Sequence, residues 1–295
     1  MVMDIATLQA FVAVAETASF SRAAARVHLT QPAISKRIGS LEQAVNTRLF
    51  DRIGRRVQLT PAGVVLLEQA RAILNEVAEA KRRIANLSDE IGGTLSLGTS
   101  HHIGLHRLPP ALQCFHERYP QVKLDLRFLD SEAGCRAVAQ GELELAIVTL
   151  PTDPAPQLHC TTVWDDPLQI VVGPGHPLAA RRRIKAHALI EHTAVLPAPG
   201  TYTRELILNA LGDERTHIKV GLATNYLEVL KMLVKIGLGW SALPETLIDP
   251  DMPVLRVDGV HIHRQLGIVT HRARTLSNAA RAMIESVRAG AKESE

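Results

Sequence analysis

Residues 8–63 read LQAFVAVAETASFSRAAARVHLTQPAISKRIGSLEQAVNTRLFDRIGRRVQLTPAG. Three runs of apolar residues at helical spacing lie in this stretch or begin just before it. A small polar residue that can cap a helix precedes each run. The sequence predicts a helix capped by Asp4, a second over Ser21–Val27 capped by Ser19 or Ser21, and a third over Gln31–Ala44 capped by Thr30. This order is typical of a helix-turn-helix.

The third helix has an apolar face and a polar N-terminal end. Ile34, Ile38 and Leu41 fall at i, i+4 and i+7 and are expected to face the core. The same spacing places four residues on or near the outer side of its first turns: Gln31, Ser35, Lys36 and Arg37. Small hydrogen-bonding and cationic groups at this end suit the base edges of a DNA major groove.

A basic turn follows the third helix. It reads Asp51-Arg-Ile-Gly-Arg-Arg56 and precedes the strand-like Val57–Leu59, so Arg55 and Arg56 can reach phosphates or the minor groove. Residues 1–60 carry eight Arg and Lys against four Asp and Glu, a net charge of +4, whereas the whole chain carries +3. The excess of positive charge therefore lies in the N-terminal part, as expected of a segment that binds a polyanion. A three-helix bundle with incidental surface charge is the alternative.

Residues 8–63 closely resemble the DNA-binding domain of LysR-type transcriptional regulators, and the entire chain resembles the family more loosely. The matching elements, in order, are FVAVAE, SFSRAA, QPAISKRI, LE, RLFDR and LTPAG. The resemblance implies a sequence-specific regulator with DNA contacts at Gln31, Pro32, Ser35 and Lys36 and at Arg55 or Arg56. Lys36 stands where arginine is common in the family, which weakens the case for a bidentate base contact there, because lysine acts as a point charge.

The next segment predicts a helix that dimerises. A helix starting at Thr60-Pro61 and running to about Leu87–Ile91 carries apolar residues at intervals of four and three: Leu66, Ala70, Ile73, Val77, Ala80, Ile84, Leu87 and Ile91. This is the spacing of a coiled-coil seam, and two recognition helices suit a two-fold DNA site. A single amphipathic helix packed on its own domain is the alternative. Gly92-Gly93 predicts a hinge.

After the glycines, strand-like and helical runs alternate, which predicts an α/β fold with open, mainly parallel sheets. We expect a winged helix-turn-helix at residues 1–60, a coiled-coil linker helix at 61–91 and a regulatory domain at 92–295. Its lobe I would comprise about 94–163 and 264–295, and its lobe II about 166–263. Two such lobes around a cleft resemble periplasmic binding proteins, as the regulatory domain of the LysR family does.

Hydroxyl-rich turns predict a pocket between the lobes. They follow strands and precede helices, where free N–H groups and the helix dipole favour an anion. The candidate effector-binding residues are Thr99, Ser100, His101, His102, Thr149, Gly200, Thr201, Tyr202, Thr203 and Asn225. Few acidic residues stand in these turns, so a small anion, such as a carboxylate metabolite or a sulfur oxyanion, is expected. Ordinary helix N-caps are the alternative for each hydroxyl taken singly.

Several other kinds of site are not expected. His101, His102 and His106 have no neighbouring cysteine or carboxylate at zinc-like spacing, so no metal site is predicted, and no cofactor is expected. Cys114, Cys135 and Cys160 form neither a disulfide framework nor a redox pair with adjacent basic residues on both sides. No nucleophile elbow, phosphate loop or carboxylate pair is present, so the chain is not expected to be an enzyme.

The expected partners are double-stranded promoter DNA, a small anionic effector and a second copy of the chain. The family often forms tetramers, and RNA polymerase is a further candidate. The N-terminus MVMDIATLQAF has no export pattern, and no apolar run approaches the ~18 residues that cross a bilayer, so we expect a cytoplasmic protein without a membrane partner. Two alternatives stay open: a transport protein with an accessory N-terminal domain, and an architectural DNA-binding protein with no effector.

Overall fold

The computed structural model describes residues 3–53, 56–88, 90–181 and 183–292. The chain forms two units, Met1–Leu87 and Ser88–Glu295. The first holds the three helices expected from residues 1–60, and the second holds the alternating strands and helices.

The first unit contains four helices and a hairpin: α1 (Ile5–Thr17), α2 (Phe20–Arg26), α3 (Gln31–Ala44), β1 (Phe50–Ile53), β2 (Arg56–Leu59) and α4 (Pro61–Ala85). Asp4 caps α1 by accepting the Thr7 N–H at 2.7 Å, and Thr30 caps α3 as predicted. Ser19, one of the two candidates, caps α2, which therefore begins at Phe20. Local capping chemistry thus decides where each helix begins.

The core of this unit lies between the three short helices and the hairpin. Ile34, Ile38 and Leu41 are fully buried, as their i, i+4, i+7 spacing predicts. The Phe50 ring, from β1, lies 5.3 Å from Phe11 and 6.0 Å from Phe20 between ring centroids. These aromatic contacts fix the hairpin on α1 and α2.

The helix α4 is shorter than the apolar spacing predicts. It ends at Ala85, and Leu87 and Ile91 lie beyond it. Ile91 packs instead against a core of the second unit, which explains why the apolar series continues past the helix. Along α4, Ala70 is buried in the core of its own unit, whereas Ile73 is 40% exposed and Ile84 is 70% exposed.

The second unit contains ten strands and seven α-helices among its described residues. The strands are β3 (Gly93–Thr99), β4 (Val122–Phe128), β5 (Leu145–Thr149), β6 (Leu158–Val171), β7 (Arg183–Ile184), β8 (Ala194–Leu196), β9 (Val220–Ala223), β10 (Ser241–Pro244), β11 (Val254–Val257) and β12 (Ile262–His271). The helices are α5 (His101–His106), α6 (Pro109–Arg118), α7 (Ser131–Gln140), α8 (His187–Ile190), α9 (Tyr202–Ala210), α10 (Leu227–Lys235) and α11 (Asn278–Lys292). Short 3₁₀ helices span Gly212–His217 and Glu245–Leu247.

The main sheet is mixed, not mainly parallel. Its strand order is β4-β3-β5-β12-β6-β11-β7, with β10 also beside β6. β3 runs parallel to β4 and β5, but β12 runs antiparallel to both β5 and β6. The reason is that the chain leaves lobe I along the 14-residue β6 and returns along the 10-residue β12, so the two crossing strands oppose each other.

Two separate cores define the lobes on either side of these crossing strands. One core, in lobe I, includes Phe115, Trp164 and Met283, the last from α11 after the chain has returned. The other, in lobe II, includes Trp240, which is fully buried and donates its indole N–H to the Leu189 carbonyl at 3.1 Å. Where the strands cross, the pairing register shifts at Gly267, and a Cβ there would lie 2.2 Å from the Thr161 carbonyl oxygen. Glycine is needed at this close approach.

No helix in the described part of the chain is both long and apolar enough to cross a membrane.

Candidate functional site

The N-terminal end of α3 presents most of the residues predicted to contact DNA. Gln31, Pro32 and Lys36 are exposed, and Ser35 is half-buried. The Ser21 hydroxyl donates to Gln31 Oε1 at 3.3 Å and so orients that side chain. The first turns of α3 therefore display two amide or hydroxyl groups and one ammonium group towards the exterior.

The other residues predicted to contact DNA are Arg37 of α3 and two arginines of the wing, which is the β1–β2 hairpin. Arg37 is half-buried and close enough to Asp4 for its charge to help the hydrogen bonds from Thr7 lower the pKa of the Asp4 carboxyl. Arg55 lies outside the described residues, whereas the backbone of Arg56 pairs with Ile53 at the end of the hairpin.

Hydrogen bonds from the hairpin backbone to a side chain of α3 position the wing relative to that helix. The Glu42 carboxylate accepts the backbone N–H groups of Leu49 and Phe50 at 2.7 and 3.2 Å. Glu42 belongs to α3 and Phe50 opens β1, so this one side chain joins the predicted recognition helix to the hairpin. The L-E pair in the sequence thus has a structural role in the DNA-binding unit.

A second candidate site is a cleft of ≈ 50 Å³ between the two lobes. Seven of the ten predicted effector residues line it: Ser100, His101, His102, Thr149, Thr201, Thr203 and Asn225. Six others also line it: Asp130, Ser131, Glu132, Pro197, Leu227 and Arg264. The strand-end turns therefore meet in space, although they come from distant parts of the chain.

Three predicted effector residues do not line the cleft. Thr99 is fully buried and its hydroxyl donates to the Ile147 carbonyl at 2.9 Å, because the alternation along β3 turns this side chain into lobe I. The Tyr202 side chain packs against the lobe I cluster that contains Cys135. Gly200, at φ +80°, serves the turn before α9, where a left-handed backbone favours glycine.

Arg264 is the functional candidate that the sequence reasoning missed. It is 3% exposed, and its Nε donates to Asp166 Oδ2 at 2.6 Å, while Arg107 Nη2 donates to Asp166 Oδ1 at 3.3 Å. Burial lowers the pKa of the Arg264 guanidinium, and the negative charge of Asp166 opposes that shift. Its Nη1 donates to the Thr203 hydroxyl at 3.3 Å, and its Nη2 has no partner within the described parts of the chain.

A signal for Arg264 was present in the sequence. In β12, Ile262, Arg264 and Leu266 alternate with exposed residues and share the buried face. A charged residue on the buried face of a strand needs a partner or a ligand, and this is the pattern that could have identified it.

The two lobes are joined across the cleft by acidic side chains, contrary to the expectation of few acidic groups. Glu132 of α7 accepts the Tyr202 N–H, at the start of α9, at 2.5 Å. Asn225 donates to Asp130 at 2.9 Å and accepts the Ala198 N–H at 2.9 Å. The acidic residues were missed because they stand in the β4–α7 turn and the first turn of α7, a place that the sequence analysis did not include among the cleft turns.

Two histidines, His101 and His102, also line the cleft. The His101 ring lies 4.7 Å from the Tyr226 ring and 5.3 Å from the Phe128 ring between centroids. His102 points another way, towards His106 and Glu228, whose ligand atoms all lie within 4.8 Å of one another. Burial, together with the positive charge of Arg264, lowers the pKa of His102 to about 3, so its ring is neutral at pH 7.

The three cysteines are free and differ in exposure. Cys114 is exposed, Cys160 is half-buried and Cys135 is buried. Burial raises the pKa of the Cys135 thiol to about 11, which keeps it protonated and unreactive near neutral pH.

Comparison with known proteins identifies the family of each of the two parts of the chain. A family model for "Bacterial regulatory helix-turn-helix protein, lysR family" matches residues 5–64, and one for "LysR substrate binding domain" matches residues 88–292. The chain is 59% identical to an uncharacterized HTH-type transcriptional regulator of Azotobacter vinelandii over 108 residues, 37% of this chain and 75% of that one. It is 30% identical to a probable RuBisCO transcriptional regulator of Cyanophora paradoxa over 285 residues, 93% of this chain and 88% of that one.

A solved structure shares the fold. A full-length OxyR variant from Pseudomonas aeruginosa superposes with a TM-score of 0.72, covering 97% of this chain and 95% of that chain. The sequence identity is 24%, so the likeness concerns the fold alone.

Proposed function

The chain belongs to the LysR family of DNA-binding transcriptional regulators, and we propose that it responds to a small anionic effector held between its two lobes. Residues 5–64 match the DNA-binding helix-turn-helix of the family and residues 88–292 its effector-binding domain. The relatives are named as transcriptional regulators, so the chain is a regulator and not an enzyme.

The observation that carries the anion proposal is the buried guanidinium of Arg264. Asp166 is 1% exposed and takes the Nε bond, but the Nη2 group of Arg264 has no partner among the described residues. A buried N–H donor without a partner is unfavourable by about 1–3 kcal/mol, and more when the group is charged. An oxyanion in the cleft would satisfy this donor.

A second observation is the position of Glu132. Its carboxylate accepts the N–H of Tyr202, the first residue of the nine-residue α9, where backbone N–H groups have no carbonyl partner within the helix. A carboxylate therefore fits this place sterically. We infer that an effector carboxylate would compete with Glu132 there, with the Thr203 and Ser100 hydroxyls as further donors.

The experiment that tests the effector proposal is calorimetry with a panel of small carboxylates, sulfate and phosphate, beside neutral amide analogues of the carboxylates. Arg264→Lys keeps the positive charge but removes the planar Nη2 donor, and Ser100→Ala removes one hydroxyl. Each should weaken anion binding by about 1 kcal/mol or more, that is at least fivefold. Ser286→Ala, whose hydroxyl donates to the Ala282 carbonyl in α11, is the matched control. Equal binding of neutral analogues, or an affinity that Arg264→Lys leaves unchanged, would contradict the proposal.

For the DNA-binding unit we propose contacts through Gln31, Pro32, Ser35 and Lys36, supported by Arg37 and the wing residues Arg55 and Arg56. A second copy of the chain is the proposed partner at α4, because Ile73 and Ile84 are exposed at intervals that suit a helix pair. We also propose tetramers and contact with RNA polymerase, in the cytoplasm where the promoter DNA lies.

Salt-dependent binding to a pseudo-palindromic duplex tests the DNA contacts. Lys36→Ala should weaken binding to all sequences and reduce the slope of log K against log salt by about 1 for each phosphate that the variant no longer neutralises. Gln31→Ala should instead change the preference at one base position, by about 1–3 kcal/mol. Lys219→Ala, an exposed lysine of the second unit, is the matched control for charge. Unchanged slopes and unchanged preferences in both variants would show that α3 does not enter the groove.

A further inference from the structure

Three potential metal ligands from different lobes lie together beside the cleft. His102 and His106 are four residues apart on α5, so both rings project from one side of the helix, with 4.9 Å between their centroids. Glu228 stands in the first turn of α10 in lobe II. Its Oε1 is 2.9 Å from His106 Nε2 and 3.8 Å from His102 Nδ1.

His102 adds an independent observation that points to a ligand. Its side chain is 5% exposed, and neither ring nitrogen has a hydrogen-bond partner in the described ranges. A buried imidazole in proteins ordinarily has partners for its ring nitrogens. His106 and Glu228, by contrast, are each 36% exposed, so the site opens to solvent on their side.

From this juxtaposition we propose that His102, His106 and Glu228 bind a divalent transition-metal ion of the zinc class and thereby connect lobe I to lobe II. Two histidines at i and i+4 on a helix with a carboxylate from another element are a recurrent zinc donor set, and the fourth position stays open to water or another ligand. Imidazole nitrogen also suits Co²⁺ and Ni²⁺. The proposal does not depend on which effector the cleft binds.

The distances from Glu228 to the two histidines are compatible with a metal after small side-chain rotations. Donors at about 2.0–2.1 Å from a tetrahedral zinc ion lie about 3.3 Å apart. The two distances to Glu228, 2.9 and 3.8 Å, bracket that value.

The surrounding charges set the expected affinity. Arg264 and Arg107 are the guanidinium groups that act on His102, and both donate to Asp166, which offsets part of their charge. Two guanidinium groups near the site disfavour an added cation, so we expect weaker binding than at a closed four-ligand zinc site. Because the three ligands come from both lobes, metal binding would favour the arrangement of the lobes that brings them together in this structure.

The test is a zinc titration of the full-length, chelator-treated protein, followed by calorimetry and by elemental analysis after equilibrium dialysis against a fixed, saturating concentration of free zinc. Cobalt gives a second readout, because tetrahedral Co²⁺ has intense visible bands. Wild type should bind one ion per chain. His106→Ala and Glu228→Gln change partly exposed residues and should each weaken binding at least about tenfold, with loss of the tetrahedral cobalt spectrum. His116→Ala, an exposed histidine of α6, should bind zinc as wild type does.

Sub-stoichiometric zinc in the wild type, or equal affinity in wild type and His106→Ala, would overturn the metal site. The titration contains no anionic effector. Its failure would therefore leave the anion proposal standing, and failure to find an effector would leave the metal result unaffected.

Discussion

Replacing Asp166 by asparagine should be one of the most destabilising isosteric changes in the second unit. Asp166 is 1% exposed and accepts from Arg264 at 2.6 Å and from Arg107 at 3.3 Å. Asparagine keeps the shape but removes the negative charge, which leaves the buried guanidinium of Arg264 without a counterion. Breaking a buried ion pair in this way costs about 3–5 kcal/mol in the free energy of unfolding.

Urea unfolding followed by tryptophan fluorescence measures this loss in the second unit alone. The chain has two tryptophans, Trp164 and Trp240, and both lie in that unit and are buried. With an m-value of about 2–3 kcal/mol/M, the midpoint should fall by roughly 1–2.5 M. Asp165→Asn is the matched control, because its side chain is 57% exposed and its loss should change stability by less than about 0.5 kcal/mol.

A double variant separates loss of the ion pair from loss of packing. Asp166→Leu with Arg264→Met removes both charges and should recover most of the stability that Asp166→Asn loses. The reasoning is refuted if Asp166→Asn stays within about 1 kcal/mol of wild type. It is also refuted if the double variant is as unstable as the sum of its single changes.

Two further predictions concern α4 and the cysteines. Ile73→Asp places a charge in the proposed helix pair and should dissociate the dimer at micromolar concentration in sedimentation experiments, because burying the unpaired charge would cost several kcal/mol. Cys135, with its pKa raised to about 11 by burial, should react with iodoacetamide in the folded protein about 100-fold more slowly than the exposed Cys114, as mass spectrometry can measure.

The α4 prediction and the cysteine prediction each have a control and an outcome that would contradict them. Ala72 is exposed and lies one residue before Ile73, outside the predicted seam. The Ala72→Asp variant therefore tests the effect of an aspartate on the helix itself, and it should remain dimeric. A soluble Ile73→Asp variant that also remained dimeric would place the interface elsewhere. In urea, Cys135 and Cys114 should react at similar rates. Similar rates in the folded protein would show that Cys135 is accessible and reactive.

Much of the first unit follows from local interactions that the sequence displays. The Asp4 and Thr30 caps and the apolar residues of Gln31–Ala44 are close in the chain, so capping and the helical period are enough to predict α1 and α3. The predicted end of α4 was wrong because it, too, was based on the local apolar period alone. Ile91 continues the apolar period, but its burial is in another core, and periodicity cannot distinguish one apolar partner from another.

The strands show the limit of local patterns more clearly. The local pattern does not predict the full length of β6, because Asp165 and Asp166 interrupt its apolar run. Asp166 is tolerated there only because Arg264 and Arg107 neutralise it from elsewhere in the fold. That the main sheet is mixed likewise depends on β12 returning beside β6, which no single segment can specify.

The family, the helix-turn-helix and most hydroxyls of the cleft were determined by the sequence, because their evidence lies within single turns or short motifs. The direction in which Thr99 points, the buried Arg264–Asp166 pair and the meeting of His106 with Glu228 were decided only by tertiary structure. His106 and Glu228 are 122 residues apart, and Arg264 and Asp166 are 98 apart. Distances between such groups depend on how the two lobes fold and close, and that geometry is not encoded in any short stretch of the chain.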